Sequence, residues 1–172
     1  MRSADNYVLE HLGKDLIGAE VGVLNGQHAL EMLSGLPLKK LYLIDPWGYY
    51  TINAKEAYSQ ELLETYYKNV LKIKEKYPDI VKVIRLESVE AAETLKDIDF
   101  DYVYVDANHE NPYVKYDLEA WFPRIKHNGV LGGHDFHMSH VYSAVTDFVN
   151  PMLSNTRIIF TAGNYDWIIH KI

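Results

Sequence analysis

With 48% hydrophobic side chains, the 172 residues can fill one core, and nothing in the sequence requires a second domain, so a single domain over 1–172 is expected. A formal net charge of −7 argues against a nucleic-acid partner, and the longest basic stretch, 68–76, is interleaved with apolar residues like the solvated face of a helix. Zero cysteines exclude disulfides, thiolate metal sites and cysteine nucleophiles. No apolar run is long enough to span a bilayer and residues 1–15 lack the pattern of a signal peptide, so a soluble, cytoplasmic protein is expected.

In chain order, residues 1–14 carry apolar Tyr7, Val8 and Leu12 among polar neighbours, which fits a short amphipathic helix. A strand over 17–24, Gly26 and a helix from His28 follow, closed by Pro37. The apolar run 40–44 is a second strand and stops at Asp45-Pro46-Trp47-Gly48, where proline forbids further pairing. A loop over 48–53 leads into an amphipathic helix over 54–77, stopped by Pro78. Residues 81–86 read as a third strand, 88–95 as a short helix capped by Ser88, and 100–105 as a fourth strand. A helix over 113–125 is then ended by a left-handed stop at His127-Asn128-Gly129, and a fifth strand, 130–133, leads to Asp135. After a helix over 141–149, strands 157–161 and 165–172 are joined by Ala162-Gly163-Asn164 alone. That is too short for anything but a hairpin, so one terminal strand must run against the others. The pattern predicts an α/β fold: a Rossmann-like, doubly wound, mostly parallel sheet with one antiparallel strand from the C-terminal hairpin.

In such sheets ligands bind outside the carboxyl ends of the central strands, which directs attention to three stretches. The first, Glu20-Val21-Gly22-Val23-Leu24-Asn25-Gly26, lets the backbone turn sharply near a ligand, although an ordinary strand-to-helix turn also explains it. Leu24 stands where a dinucleotide site wants its middle glycine, so an adenosyl ligand without phosphates suits it better, and Glu20 would welcome a sulfonium. The second is Asp45, about twenty residues on, where a carboxylate can accept hydrogen bonds from both ribose hydroxyls. The third is Gly132-Gly133-His134-Asp135 taken with Asp106 and His109. If the fourth and fifth strands are adjacent, about 4.8 Å apart, their terminal carboxylates can converge on one hard cation or one substrate hydroxyl. His109 carries an imidazole that can take up a proton and is a candidate base; His137 and His140 widen the metal options, and a solvated helix start explains them equally well.

These stretches, with Ile44-Asp45-Pro46-Trp47, Asp101-Tyr102-Val103-Tyr104-Val105-Asp106-Ala107-Asn108-His109, Asp117-Leu118-x-x-Trp121 and Val141-x-x-Ala144-Val145, resemble the compact class I S-adenosylmethionine-dependent methyltransferases. More closely, they are similar to the bacterial branch that includes sugar and small-molecule O-methyltransferases. The resemblance runs from about Ala19 to the C-terminus. It implies that Glu20, Gly22 and Gly26 line the methionine and ribose part of the cofactor, that Asp45 holds the ribose hydroxyls, and that Glu87 and Ser88 lie against the adenine. Asp106 would sit beneath the transferred methyl. Asp106 and Asp135 match the carboxylate ligands of magnesium in metal-dependent relatives, and His109 matches a proposed general base. Phe136 and His134 depart from the pattern: catechol-type enzymes place an asparagine at the first position and macrolide-sugar enzymes an acid at the second, so the third ligand is missing.

The sequence therefore points to methyl transfer from S-adenosylmethionine to an oxygen of a small hydroxylated or sugar-like acceptor. Asp106, His109 and Asp135 are the catalytic candidates, magnesium is an optional second cofactor, and Trp47, Tyr49 and Tyr50 could cover the site. Two rivals are an NAD-dependent oxidoreductase and a non-catalytic nucleoside-binding module that needs a partner. The acceptor's identity and the oligomeric state, a homo-oligomer included, are left open.

Overall fold

The apolar runs become strands of one central sheet because each is bounded by residues that cannot continue it. The computed structural model describes residues 1–48, 51–52, 55–56, 58–152, 154, 156–160 and 165–172. Its elements are α1 (Ser3–His11), β1 (Leu16–Val21), α2 (Gln27–Gly35), β2 (Leu38–Ile44), β3 (Thr51–Ile52), β4 (Lys55–Glu56), α3 (Gln60–Lys76), β5 (Val81–Ile84), α4 (Ser88–Thr94), β6 (Phe100–Val105), α5 (Tyr113–Trp121), β7 (Ile125–Gly133), α6 (Ser139–Val149), β8 (Thr156–Phe160) and β9 (Trp167–Lys171).

Seven strands form a sheet in the order β5-β2-β1-β6-β7-β9-β8. β5, β2, β1, β6 and β7 are mutually parallel, and β9 runs antiparallel to both β7 and β8. The expected mostly parallel sheet with one reversed strand is thus present, and residues 161–164 of the hairpin connection lie outside the described residues. The chain winds outward from β1 to β5, then crosses back to β6, so the winding reverses between β1 and β6, the place where such sheets open a crevice.

Each face of the sheet carries three of the described α-helices. Ala4 and Val8 of α1, Met32 of α2 and Val70 of α3 pack with Leu41, Leu43, Tyr102 and Tyr104 on one face. Ala91 of α4, Leu118 and Trp121 of α5 and Val145 of α6 pack with Val21, Val103 and Leu131 on the other. No helix among the described residues is long and apolar enough to cross a membrane.

Of the boundaries that differ from expectation, four have a clear local reason. β1 stops at Val21, because Gly22 takes φ +89° and leaves the sheet. α3 begins at Gln60, with the Ser59 side chain accepting the Leu62 N–H at 3.3 Å, while residues 55–56 pair with 51–52 in a small antiparallel ribbon. Ser88 is the first residue of α4, not its cap, and its hydroxyl is turned to Asp117. His127-Asn128-Gly129 is an irregularity inside β7: Phe100 pairs with Ile125 but Tyr102 with Val130, and Asn128 takes the left-handed φ of 61° that the extra residues require.

Candidate active site

The first wall of the site is built by backbone. Gly22 N–H donates to Ile44 O at 2.9 Å and Asp106 N–H to Val21 O at 2.8 Å, which fixes the ends of β1, β2 and β6 side by side. Beyond them the turn is pinned by Asp45, whose carboxylate accepts the N–H of Leu24 at 2.9 Å and of Trp47 at 2.7 Å. The Trp47 indole N–H in turn donates to Leu24 O at 2.7 Å. Leu24 and Trp47 both sit at positive φ, 50° and 41°, a conformation costly for side-chain-bearing residues, and these bonds hold them there. Trp47 is fully buried, so it is core and not a cover, while Tyr49 and Tyr50 lie outside the described residues. Burial raises the Asp45 pKa against the opposing pull of those N–H bonds and of Arg85.

These ends rim a cavity of about 900 Å³ lined by Glu20, Gly22, Asp45, Glu87, Ser88 and Asp106, in the size range of small-molecule sites. Of the cofactor-site residues expected from sequence, only Gly26 is absent from the lining; its φ of +82° starts α2, and it packs on Ile73 and Val70. Glu87 is held above the usual carboxylate range by burial and by the charge of Asp45. Ser88 donates to Asp117 and accepts the Trp121 indole N–H at 2.9 Å. Asp117 also lines the cavity, and burial, aided by Glu87 and opposed by Ser88, pushes it up to about 7.

A second wall, formed by Arg2, Glu20 and His28, is held from behind by Asp5 of α1, a support that was not legible in the sequence. Asp5, fully buried, accepts the Tyr102 hydroxyl at 3.0 Å and the Arg2 N–H at 3.1 Å. Its Oδ2 also meets His28 Nε2 at 2.9 Å, and His28 Nδ1 reaches Glu20 Oε1 at 3.2 Å. Two such bonds need two protons. Burial opposes charge on His28, but the bonds and charges of Asp5 and Glu20 prevail and raise it to about 9, which favours the doubly protonated ring, while burial raises Glu20 against the pull of His28. Glu20 is 2% exposed, and its Oε2 has no hydrogen-bond partner among the described residues. The alternation Tyr102-Val103-Tyr104 was the available signal, since two buried tyrosines on one face of a strand need polar partners.

A raised histidine pKa stabilises the fold fully below the unfolded value of about 6.5, and that contribution is lost as pH climbs through about 9. Roughly 3 kcal/mol of stability should therefore disappear over that window. Urea midpoints measured from pH 6 to 9.5 should fall accordingly, and Asp5→Asn should flatten the slope.

The third wall carries the candidate chemistry. Asp106, His134 and Asp135 offer donor atoms within 4.8 Å of one another, so the ends of β6 and β7 do converge. His109 Nδ1 lies 3.5 Å from Asp135 Oδ2, longer than a good hydrogen bond, and His134 Nδ1 lies 3.2 Å from Asp135 Oδ1. His134's bond, then the charges of His134, His109 and His137, hold Asp135 below its ordinary pKa against burial. His109 lines the large cavity, whereas Asp135 lines only an adjoining hollow of about 20 Å³ that Asp106 and His109 share. His137 stands 4.0 Å from Asp135, and His140 is exposed. Arg2, which the sequence did not single out, places Nη2 at 2.9 Å from Asp106 Oδ2 and donates from Nη1 to the Tyr104 hydroxyl at 2.7 Å.

The model of a protein family described as "Methyltransferase domain" matches residues 19–136, from β1 to just past β7. No curated protein matches the chain. Among solved structures, 98% of the chain overlays 80% of a candidate caffeoyl-CoA O-methyltransferase from Staphylococcus aureus, with a TM-score of 0.68 at 16% identity. All of it, 100%, overlays 99% of a candidate methyltransferase from Streptococcus mutans in complex with SAH, at 0.69 and 14%. An rRNA methylase from Streptococcus thermophilus is covered to 93% by 98% of the chain, at 0.65 and 14%. At these identities the shared property is the fold.

Proposed function

The chain belongs to the methyltransferase domain family and is a class I S-adenosylmethionine-dependent methyltransferase; from that premise we propose that it methylates an oxygen of a small hydroxylated or sugar-like acceptor, with His109 as base. The observation that carries this reading is the position of His109, on the wall of the large cavity and beside Asp135.

The residues present fit the cofactor. Glu20 Oε2, buried without a hydrogen-bond partner among the described residues, suits the ammonium of the methionine part; Asp45 suits the ribose hydroxyls; and Glu87 and Ser88, at the start of α4, border the space for adenine. When bound, S-adenosylmethionine supplies the electrophilic methyl and receives the electron pair of the broken carbon–sulfur bond. The protein's part is to hold an acceptor oxygen in line and remove its proton. Asp135 faces Nδ1 of His109 and favours the tautomer protonated there, which leaves Nε2 to take the proton of the acceptor hydroxyl.

Magnesium fits less well. Asp106 Oδ2 is already neutralised by Arg2, the third donor is an imidazole, which a hard cation prefers less than oxygen, and Phe136 packs on Tyr142 at 5.1 Å. Methyl transfer is accordingly expected to survive excess EDTA within about twofold, measured as initial rate. An RNA acceptor is disfavoured by the chain's net charge of −7 and by the engagement of Arg2 with Asp106.

Calorimetry followed by a labelled-methyl assay over hydroxylated acceptors tests the proposal. S-adenosylhomocysteine should bind and NADH should not, and label should enter sugars or phenols. Label entering only amines or RNA would overturn it.

A further inference from the structure

We propose that Asp5 and His28 are positioning residues for the amino-acid end of the cofactor: they fix Glu20 so that its second oxygen receives the ammonium of S-adenosylmethionine, which makes α1 part of the cofactor site. The inference rests on the reading above that the large cavity takes this cofactor.

Three observations support it. A carboxylate oxygen as buried as Glu20 Oε2, with no hydrogen-bond partner among the described residues, is costly unless a ligand donor satisfies it, and Glu20 lines the cavity. Its other oxygen is tied to His28 at 3.2 Å, so the side chain cannot turn freely. His28 is itself clamped, by Asp5 at 2.9 Å and by the Tyr104 ring at 4.5 Å between centroids, and Asp5 is anchored by Tyr102. The sign of the charge selects the ligand group: a carboxylate at this place repels the carboxylate of the methionine part and attracts its ammonium.

Titration calorimetry of wild type, His28→Gln and Asp5→Asn with two ligands separates positioning from scaffolding. S-adenosylhomocysteine has the amino-acid end; 5′-methylthioadenosine keeps the nucleoside and thioether but lacks it. Both variants should lose roughly tenfold or more in affinity for S-adenosylhomocysteine and less than about threefold for 5′-methylthioadenosine. Equal losses for the two ligands would reduce the network to a scaffold and overturn the proposal, as would no loss for either. A wild type that binds both ligands equally overturns it too, because the amino-acid end is then unread. A wild type that binds neither removes the cofactor reading itself. His28→Gln leaves two buried carboxylates facing a neutral amide; if it does not fold, Asp5→Asn, close in shape to the native side chain, carries the comparison.

Discussion

Replacing His109 with alanine is expected to lower kcat by roughly 10²- to 10⁴-fold, the range a general base contributes, which corresponds to about 3–5 kcal/mol of barrier. The Michaelis constant for S-adenosylmethionine should change little, because Glu20 and Asp45, which face the cofactor in this reading, are held by other partners. Stability should also hold, within about 0.5 kcal/mol, because the His109 side chain is 31% exposed and belongs to no buried hydrogen-bond network among the described residues. Single-turnover rates and thermal melts of the same preparation separate these effects. The rival base is His134, which sits nearer Asp135, at 3.2 Å against 3.5 Å. Proximity to the carboxylate does not decide between them; access to the acceptor does, and His109 lines the large cavity whereas His134 lines only the small hollow. A His109→Ala enzyme with wild-type kcat, together with an inactive His134→Ala, would transfer the role.

The parts of this site that the sequence discloses are those that local chemistry dictates. Asp45, Asp106 and Asp135 each follow an apolar run closely, and a charge that ends a buried strand has to emerge at the rim, so three strand ends were visible as candidates. Gly22 and Gly26 announced the turn between them. Arg2, Asp5 and His28 could not be found in this way. The near partner of Asp5, the Arg2 N–H, only caps the helix; the partners that account for its full burial, His28 and Tyr102, are 23 and 97 residues away. On a nine-residue helix such a side chain looks like any solvated acid. The boundaries that moved share this cause. Residues 127–129 resemble a helix stop, yet pairing of β7 with β6 draws Ile125 into the sheet and makes the same left-handed asparagine a strand irregularity. Tertiary pairing overrode a correct reading of the local backbone.

Gly22→Ala should be the most damaging small substitution in the chain. A β-carbon on this residue would stand 2.1 Å from the carbonyl oxygen of Asp106 and 2.7 Å from Cα of Ala107, both main-chain atoms that cannot swing away. Neither strand has room to retreat. Gly22 is tied to β2 through Ile44 at 2.9 Å, and Asp106 to β1 through Val21 at 2.8 Å, so relief of the clash must break pairing at the centre of the sheet. The φ of +89° adds its own cost for any L side chain. Overpacking and backbone strain together should remove roughly 3–5 kcal/mol, a large share of the stability of a domain this size. Gly13→Ala is the matched control, because its β-carbon would meet nothing within 4 Å. Urea titration should show a much lowered midpoint for Gly22→Ala and an unchanged one for Gly13→Ala. Any Gly22→Ala that folds should bind S-adenosylhomocysteine poorly, since the strand end that must yield carries Asp106. Equal midpoints would mean that β1 and β6 do not meet at this glycine, and the crevice assigned to the cofactor would lose the wall that defines it.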